Sequence, residues 1–204
     1  MLKIIASAVT IAFAATAAQA ALPVYSNPGT QVPVAYTFTK LSDGDLVATF
    51  VGETAGFTNR LGVIANGVDL GLGLSNESPL GTSFNYGSVA AGSSLVFYIK
   101  VQNNGNVFSS VSADNPGGLN HVFAAAYGGG DTVGIRNFEP STYVYVGFED
   151  LKGGGDLDYD DIQFVFANVR AVIPEPATWA LLITGFGMVG LAVRRRRIFT
   201  AVGD

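Results

Sequence analysis

Short stretches of alternating apolar and polar residues run through the middle of the chain. "PVAYTFTK" (33–40) and "DLVATFVG" (45–52) repeat with period two, and "LSDG" separates them as a turn signal. "SLVFYIKVQ" (94–102) is followed by "NNGN", whose Asn104-Gly105 pair suits a tight type I′ hairpin turn. "HVFAAAY" (121–127), "DTVGIRN" (131–137), "TYVYVGFE" (142–149) and "DIQFVFANV" (161–169) complete the set. The runs are short, rich in Val, Phe, Tyr and Thr, and punctuated by Gly, Asn and Pro at intervals of roughly 8 to 15 residues. This pattern predicts an all-β fold, an antiparallel β-sandwich of jelly-roll type. No helix of ten or more residues is easily placed inside this region; only "HVFAAAYG" reads either way.

The two ends break the alternation. Residues 1–20, "MLKIIASAVTIAFAATAAQA", carry Lys3, an apolar run from Ile4 and a small-x-small close at Ala18-Gln19-Ala20. That is the layout of a secretory signal peptide cleaved by signal peptidase after Ala20. Near the other end, Ala177–Val193 is a 17-residue stretch without a charge. As a helix it is roughly 25 Å long, at the short limit for a bilayer span. Trp179 lies near its start, and Arg194, Arg195, Arg196 and Arg197 follow it at once. A positive cluster stays on the cytoplasmic side, so the body is expected outside the inner membrane with its C-terminus in the cytoplasm. Upstream, Pro174 and Pro176 flank Glu175 and keep this segment extended and open to a protease. The expected division is a signal peptide (1–20), a β-domain (21–168), a linker with the Pro-Glu-Pro motif (169–176), a transmembrane helix (177–193) and a basic tail (194–204).

Pro174-Glu175-Pro176, Trp179, the apolar run with Gly185, Gly187 and Gly190, and the arginine cluster together resemble the PEP-CTERM sorting signal, in its PEP-x-x-W-A form. The resemblance implies recognition by exosortase, a membrane-embedded cysteine protease, and cleavage near the Pro-Glu-Pro. It also implies a Gram-negative envelope, with release of the body to the envelope or outside the cell.

Charge then narrows the choice. Residues 21–173 hold 14 acidic residues against six basic ones, a net of −8, which the tail arginines dilute to −5 over the whole chain. Such a body is a poor partner for nucleic acid, which needs clustered Lys and Arg, and it suits cations instead. The chain has no cysteine, so its exported domain is held by its own core or by metal.

The acidity is concentrated in "FEDLKGGGDLDYDD". Glu149, Asp150, Asp156, Asp158, Asp160 and Asp161 put six carboxylates into 13 residues, with Lys152 the only counter-charge. Two carboxylates about 4 Å apart repel by roughly 1 kcal/mol even in water, so gathering them calls for a cation. Gly153, Gly154 and Gly155 let the chain turn back on itself. Oxygen donors with no Cys and no nearby His select calcium over zinc or copper. An EF-hand does not fit: counted from Asp156, position 6 is Asp161 and position 12 is Ala167, and the flanks are strand-like.

This segment, with "ATFVGETAGFTNRLGV" and "SADNPGGLNH" upstream, resembles an uncharacterised extracellular β-domain that often precedes PEP-CTERM tails, over most of residues 33–168. The resemblance implies calcium binding by the same six carboxylates. Asp114, Asn115 and Asn120 either add ligands or build an Asx turn. The single histidine, His121, has no serine motif to serve and reads as a hydrogen-bonded strand residue. Tyr143, Tyr145 and Tyr159 can stack on a sugar or pack in the core. The expected function is a non-enzymatic envelope or extracellular-matrix protein stiffened by calcium. The alternative is a calcium-dependent module binding carbohydrate, such as the exopolysaccharide of a biofilm matrix.

Overall fold

The computed structural model describes residues 21–172, together with Thr184, Phe186 and Met188. Among the described residues the strands are β1 (Thr37–Lys40), β2 (Gly44–Gly52), β3 (Asn59–Ala65), β4 (Val68–Ser75), β5 (Ser83–Val89), β6 (Ser94–Val101), β7 (Val107–Ser109), β8 (Val122–Tyr127), β9 (Thr132–Val133), β10 (Arg136–Asn137), β11 (Tyr143–Phe148), β12 (Ile162–Ala167) and β13 (Val169–Val172). Two 3₁₀ turns, Ser112–Asp114 and Pro116–Gly118, lie between β7 and β8. No helix among the described residues is long and apolar enough to cross a membrane. The signal peptide, the Pro-Glu-Pro motif and the expected spanning helix, apart from Thr184, Phe186 and Met188, lie outside the described residues.

Two antiparallel sheets face each other. One runs β13-β1-β6-β3-β4, with β7 also paired to β6; the other runs β5-β2-β12-β11-β8; β9 and β10 form a separate hairpin. β1 pairs with β13 and β2 with β12, so the outermost pairings are nested as in a jelly roll. The alternation in the sequence is what closes the sandwich. Leu95, Phe97, Ile99 and Val101 of β6 point inward, and Ser94 and Lys100 point out. Phe97 stacks on Phe166 of the opposite sheet, with ring centroids 4.1 Å apart, and meets Phe38 of its own sheet at a tilt, with centroids 4.8 Å apart. Each such ring contributes about 1.5–3 kcal/mol by leaving water.

The five-stranded sheet is covered on its outer side too. Val51, Tyr127, Phe138, Tyr145 and Val165 form a second apolar cluster, to which Val133 of the β9–β10 hairpin adds. This explains why β11 is buried almost throughout instead of alternating.

Several expectations change in detail. "HVFAAAY" is strand, and "DTVGIRN" is a hairpin of two two-residue strands. At Asn104-Gly105 only Gly105 has positive φ (75°), while the Asn104 side chain accepts the N–H of Asn106. A type I′ turn needs both central residues at positive φ, so this is not one. That geometry occurs instead at Asn66-Gly67 (φ 49° and 81°), which joins β3 directly to β4. Residues 169–172, expected to open the linker, are β13, because Val169 is fully buried and Ala171 packs on the core.

Candidate metal centre

β11 and β12 pair in register from Tyr143↔Ala167 to Phe148↔Ile162, and residues 149–161 connect them. The ladder therefore brings the two ends of the acidic segment together before any side chain acts. Within the loop, positive φ recurs at Gly155 (55°), Leu157 (56°) and Tyr159 (60°). Left-handed backbone at non-glycine residues costs of order 1–3 kcal/mol each and persists only where the surroundings enforce it.

Tyr159 is what enforces it. Its side chain is fully buried. Its hydroxyl accepts the N–H of Val32 (3.0 Å) and donates to the carbonyl of Asn120 (3.3 Å). Its ring meets Tyr25 edge-on at 5.0 Å. Its backbone N–H donates to Glu149 Oε1 at 2.7 Å. The loop is thus pinned at its centre to the sandwich, and the pin also holds one oxygen of the first acid.

The arrangement gathers Glu149, Asp156 and Asp158, each presenting a carboxylate oxygen within 4.8 Å of the others. Glu149 is 0% exposed, and its Oε2 is buried without a hydrogen-bond partner. A Cβ at Gly155 would lie 2.7 Å from that same oxygen, so glycine leaves the space open in front of it. A carboxylate oxygen buried with nothing to bind is costly, and a proton or a cation would answer it.

The electrostatics point the same way. Burial, reinforced by Asp161, Asp156 and Asp158 and opposed by the Tyr159 N–H, pushes Glu149 up to about 8. Burial, reinforced by Asp150, Asp156 and Asp158 and opposed by the Asp150 N–H, pushes Asp161 up to about 7. Burial and then Asp160 push Asp158 up to about 6. Each carboxyl clings to its proton because burial disfavours the charged form, and the neighbouring carboxylates add to the effect. The donor set fits calcium: hard oxygens, more than one carboxylate, and a Gly-rich loop that leaves room for further oxygen ligands.

The other predicted acids do different work. Asp150 is buried, and its Oδ2 accepts from Asn59 Nδ2 at 2.6 Å. Asp161 Oδ2 accepts the N–H of Asp150 at 2.8 Å, closing the neck of the loop. Asp160 Oδ1 accepts from the Thr54 hydroxyl, and its N–H donates to Asp158 Oδ1 at 3.2 Å. Asn115 and Asn120 build turns: Asn115 donates to the carbonyls of Ser109 and Leu119, and Asn120 donates to Val34 and accepts from Val122. Asp114 faces Ser109 at 3.5 Å, outside the carboxylate group.

Two positioning residues, Asn59 and His121, were not singled out for this site in the sequence. Asn59, 91 positions from Asp150, holds that side chain and leaves its own Oδ1 buried without a partner. His121 brackets Glu149: its carbonyl accepts the Glu149 N–H (3.0 Å) and its Nδ1 lies 3.1 Å from the Glu149 carbonyl. His121 also stacks on Phe108 at 4.2 Å, and burial pushes its pKa down despite the Glu149 carbonyl. Gly155 supplies the opening. Gly155 was legible as a member of the glycine run; Asn59 and His121 act across distant strands. Tyr145 and Tyr159 are core residues, and Tyr143 packs against Tyr127 and Phe138.

Two family models match the chain. Residues 81–168 match a domain of unknown function (DUF4114), and residues 172–197 match the PEP-CTERM protein-sorting motif. The first match takes in β5 to β12 and the whole acidic loop, while β1 to β4 lie before it. No curated protein and no solved structure matches the chain. The fold and the tail thus define an all-β protein of the extracellular type. It carries a signal for export and sorting by an exosortase-type membrane protease.

Proposed function

We propose that this chain is a non-enzymatic exported protein whose β-domain is completed by calcium at Glu149, Asp156 and Asp158. The body is anchored in the inner membrane through its tail, cut by an exosortase-type protease near Pro174-Glu175-Pro176, and passed to the envelope or the extracellular matrix. The unpartnered Glu149 Oε2, buried beside two aspartates in a loop that glycine keeps open, carries the metal reading. Bound calcium would supply the positive charge that three raised carboxyl pKa values call for, and would tie the β11–β12 connection into one rigid end of the sandwich.

Thermal melts in calcium, in magnesium and with chelator test the metal. A rise specific to calcium, abolished in the Asp156→Asn/Asp158→Asn chain, is expected; equal melts in all three conditions would refute it. Sorting has a separate test. With Pro174-Glu175-Pro176 replaced by alanines, uncleaved protein is expected to accumulate in the inner membrane. Normal amounts of processed protein outside the cell would contradict the sorting reading.

A further inference from the structure

On the outer face of the six-stranded sheet, far from any sequence motif, one ring is laid across bare backbone. Tyr98 of β6 stands opposite Gly62 of β3. A side chain at Gly62 would run into the Tyr98 ring, so the ring covers the glycine and turns its other side toward solvent. The phenol is fixed: its hydroxyl donates to both oxygens of Asp69, at 2.9 and 3.1 Å. Asp69 is itself held by the N–H of Gly71 at 2.8 Å. Burial, then Asp69, push the phenol up to about 12, so it remains a donor at every physiological pH.

Around this ring lies a basin of about 300 Å³, lined by Ile64, Asp69, Tyr98, Val107, Ser109 and Asp114. The wall bearing Asp114 is the first of the two 3₁₀ turns. A second depression of about 580 Å³ shares Val107 and Asp114 with the first and continues past Asn106 to Lys152. The two adjoin at Val107 and Asp114 and together form a trough-like surface in the size range of ligand sites, which suits a chain of units better than a single small molecule.

We infer that this trough is a binding site for a neutral polysaccharide, with one pyranose ring packed on Tyr98 and its hydroxyls donating to Asp69 and Asp114. A pyranose has an apolar face of C–H groups and an equator of hydroxyls. It therefore wants an aromatic surface ringed by acceptors, which is what Tyr98, Asp69 and Asp114 offer. Ile64 and Val107, the latter 48% exposed, extend the apolar floor. The two carboxylates, on a body of net charge −8 over residues 21–173, repel phosphate and uronate polymers. None of the three carboxylates gathered at the candidate metal centre lines the trough; only Lys152 belongs to both regions, so this inference stands apart from the calcium reading.

Affinity electrophoresis of the full chain in mild detergent tests it, through gels containing hydroxyethylcellulose, mixed-linkage β-glucan, dextran or galactomannan. Alginate and oligolysine serve as charged comparisons. Retardation by at least one neutral polymer is expected, with or without chelator. Tyr98→Ala should weaken it by about tenfold or more, the usual effect of removing an aromatic anchor. Asp114→Ala, on an exposed turn where folding is not at risk, should weaken it several-fold; Tyr98→Phe, which keeps the ring, should retain most of it. Melting curves of each variant separate lost binding from lost folding. The inference is overturned if no neutral polymer retards the chain, or if only oligolysine does. It is equally overturned if retardation is unchanged in Asp114→Ala and in a folded Tyr98→Ala or, should that variant not fold, Tyr98→Leu.

Discussion

The molecule has two interiors, and they are finished to different degrees. Between the sheets, Phe38, Phe97 and Phe166 meet ring to ring, with centroids 4.8 and 4.1 Å apart. At the β11–β12 end, the interior is Glu149, Asp150, Asn59 and His121, all buried. Four buried side-chain atoms lack a hydrogen-bond partner among the described residues. Three of them, Glu149 Oε2, Asn59 Oδ1 and His121 Nε2, belong to this end; the fourth is Lys40 Nζ. Apolar packing needs only contact. Polar packing is complete only when every donor, acceptor and charge is answered. The contrast is the ground for placing the proposed ion at this end of the sandwich, where buried polar atoms outnumber their partners.

The comparison can be broken at either side. Phe97→Ala opens a cavity between the sheets and should cost about 3–5 kcal/mol, to the same extent with calcium or with chelator. A melting loss that depended on calcium would mean the two interiors are not independent.

Calcium should act on the other side only. At a hundredfold excess over its dissociation constant it should stabilise by about 2.7 kcal/mol. Gly155→Ala, which places a methyl group 2.7 Å from Glu149 Oε2 at φ 55°, should remove most of that gain. A full calcium response in Gly155→Ala would move the ion elsewhere.

Acidity should sharpen the contrast further. Glu149, Asp161 and Asp158 have folded values of about 8, 7 and 6, all above their ordinary values. Between its ordinary value and its folded value, each group binds more protons folded than unfolded. Without metal, stability should therefore fall as pH rises from about 4 to 8. Calcium should flatten the slope, and Glu149→Gln should remove the portion nearest pH 8. Urea midpoints measured across this range, with chelator, check the sign; a midpoint that rises with pH would contradict it.

The smallest effect is expected at the rim. The Thr54 hydroxyl donates to Asp160 in an exposed position, and Thr54→Ala should change stability by no more than about 0.5 kcal/mol. A larger loss would mean that Asp160 supports the carboxylate group more firmly than its exposure implies.

What the sequence disclosed follows from which forces are local. Period-two alternation revealed β1 and β2, and short runs rich in Val, Phe and Tyr between turn signals revealed β6, β8, β11 and β12. Neither revealed β3, β4 and β5. In "NRLGVIANGVDLGLGLSN" glycines break the alternation, and Gly62 and Gly73 lie under the rings of Tyr98, Phe84 and Tyr86, supplied by other strands. The two Asn-Gly pairs make the same point. At Asn66-Gly67 the flanking strands pair directly and the turn closes in two residues. At Asn104-Gly105 residues 102–106 all serve the connection, and Asn104 turns its side chain to Asn106. The acidic loop was legible because six carboxylates in 13 residues cannot be an accident of packing. Its division of labour was not. Tyr159, His121 and Asn59 decide which acids converge, and they do so through contacts no local pattern records.

β13 lies at the end of its sheet and is held in register with β1 over four residue pairs, from Lys40↔Val169 to Thr37↔Val172. The sorting motif begins at its last residue. Tension arriving from residues beyond 172 therefore meets this ladder first. Drawn along the strand axis, the four pairs share the load in shear. Peeled away from the sheet, they separate in succession from Thr37↔Val172 until the fully buried Val169 resists. The body is fastened to its tether by a short latch that is strong in one direction and weak in the other.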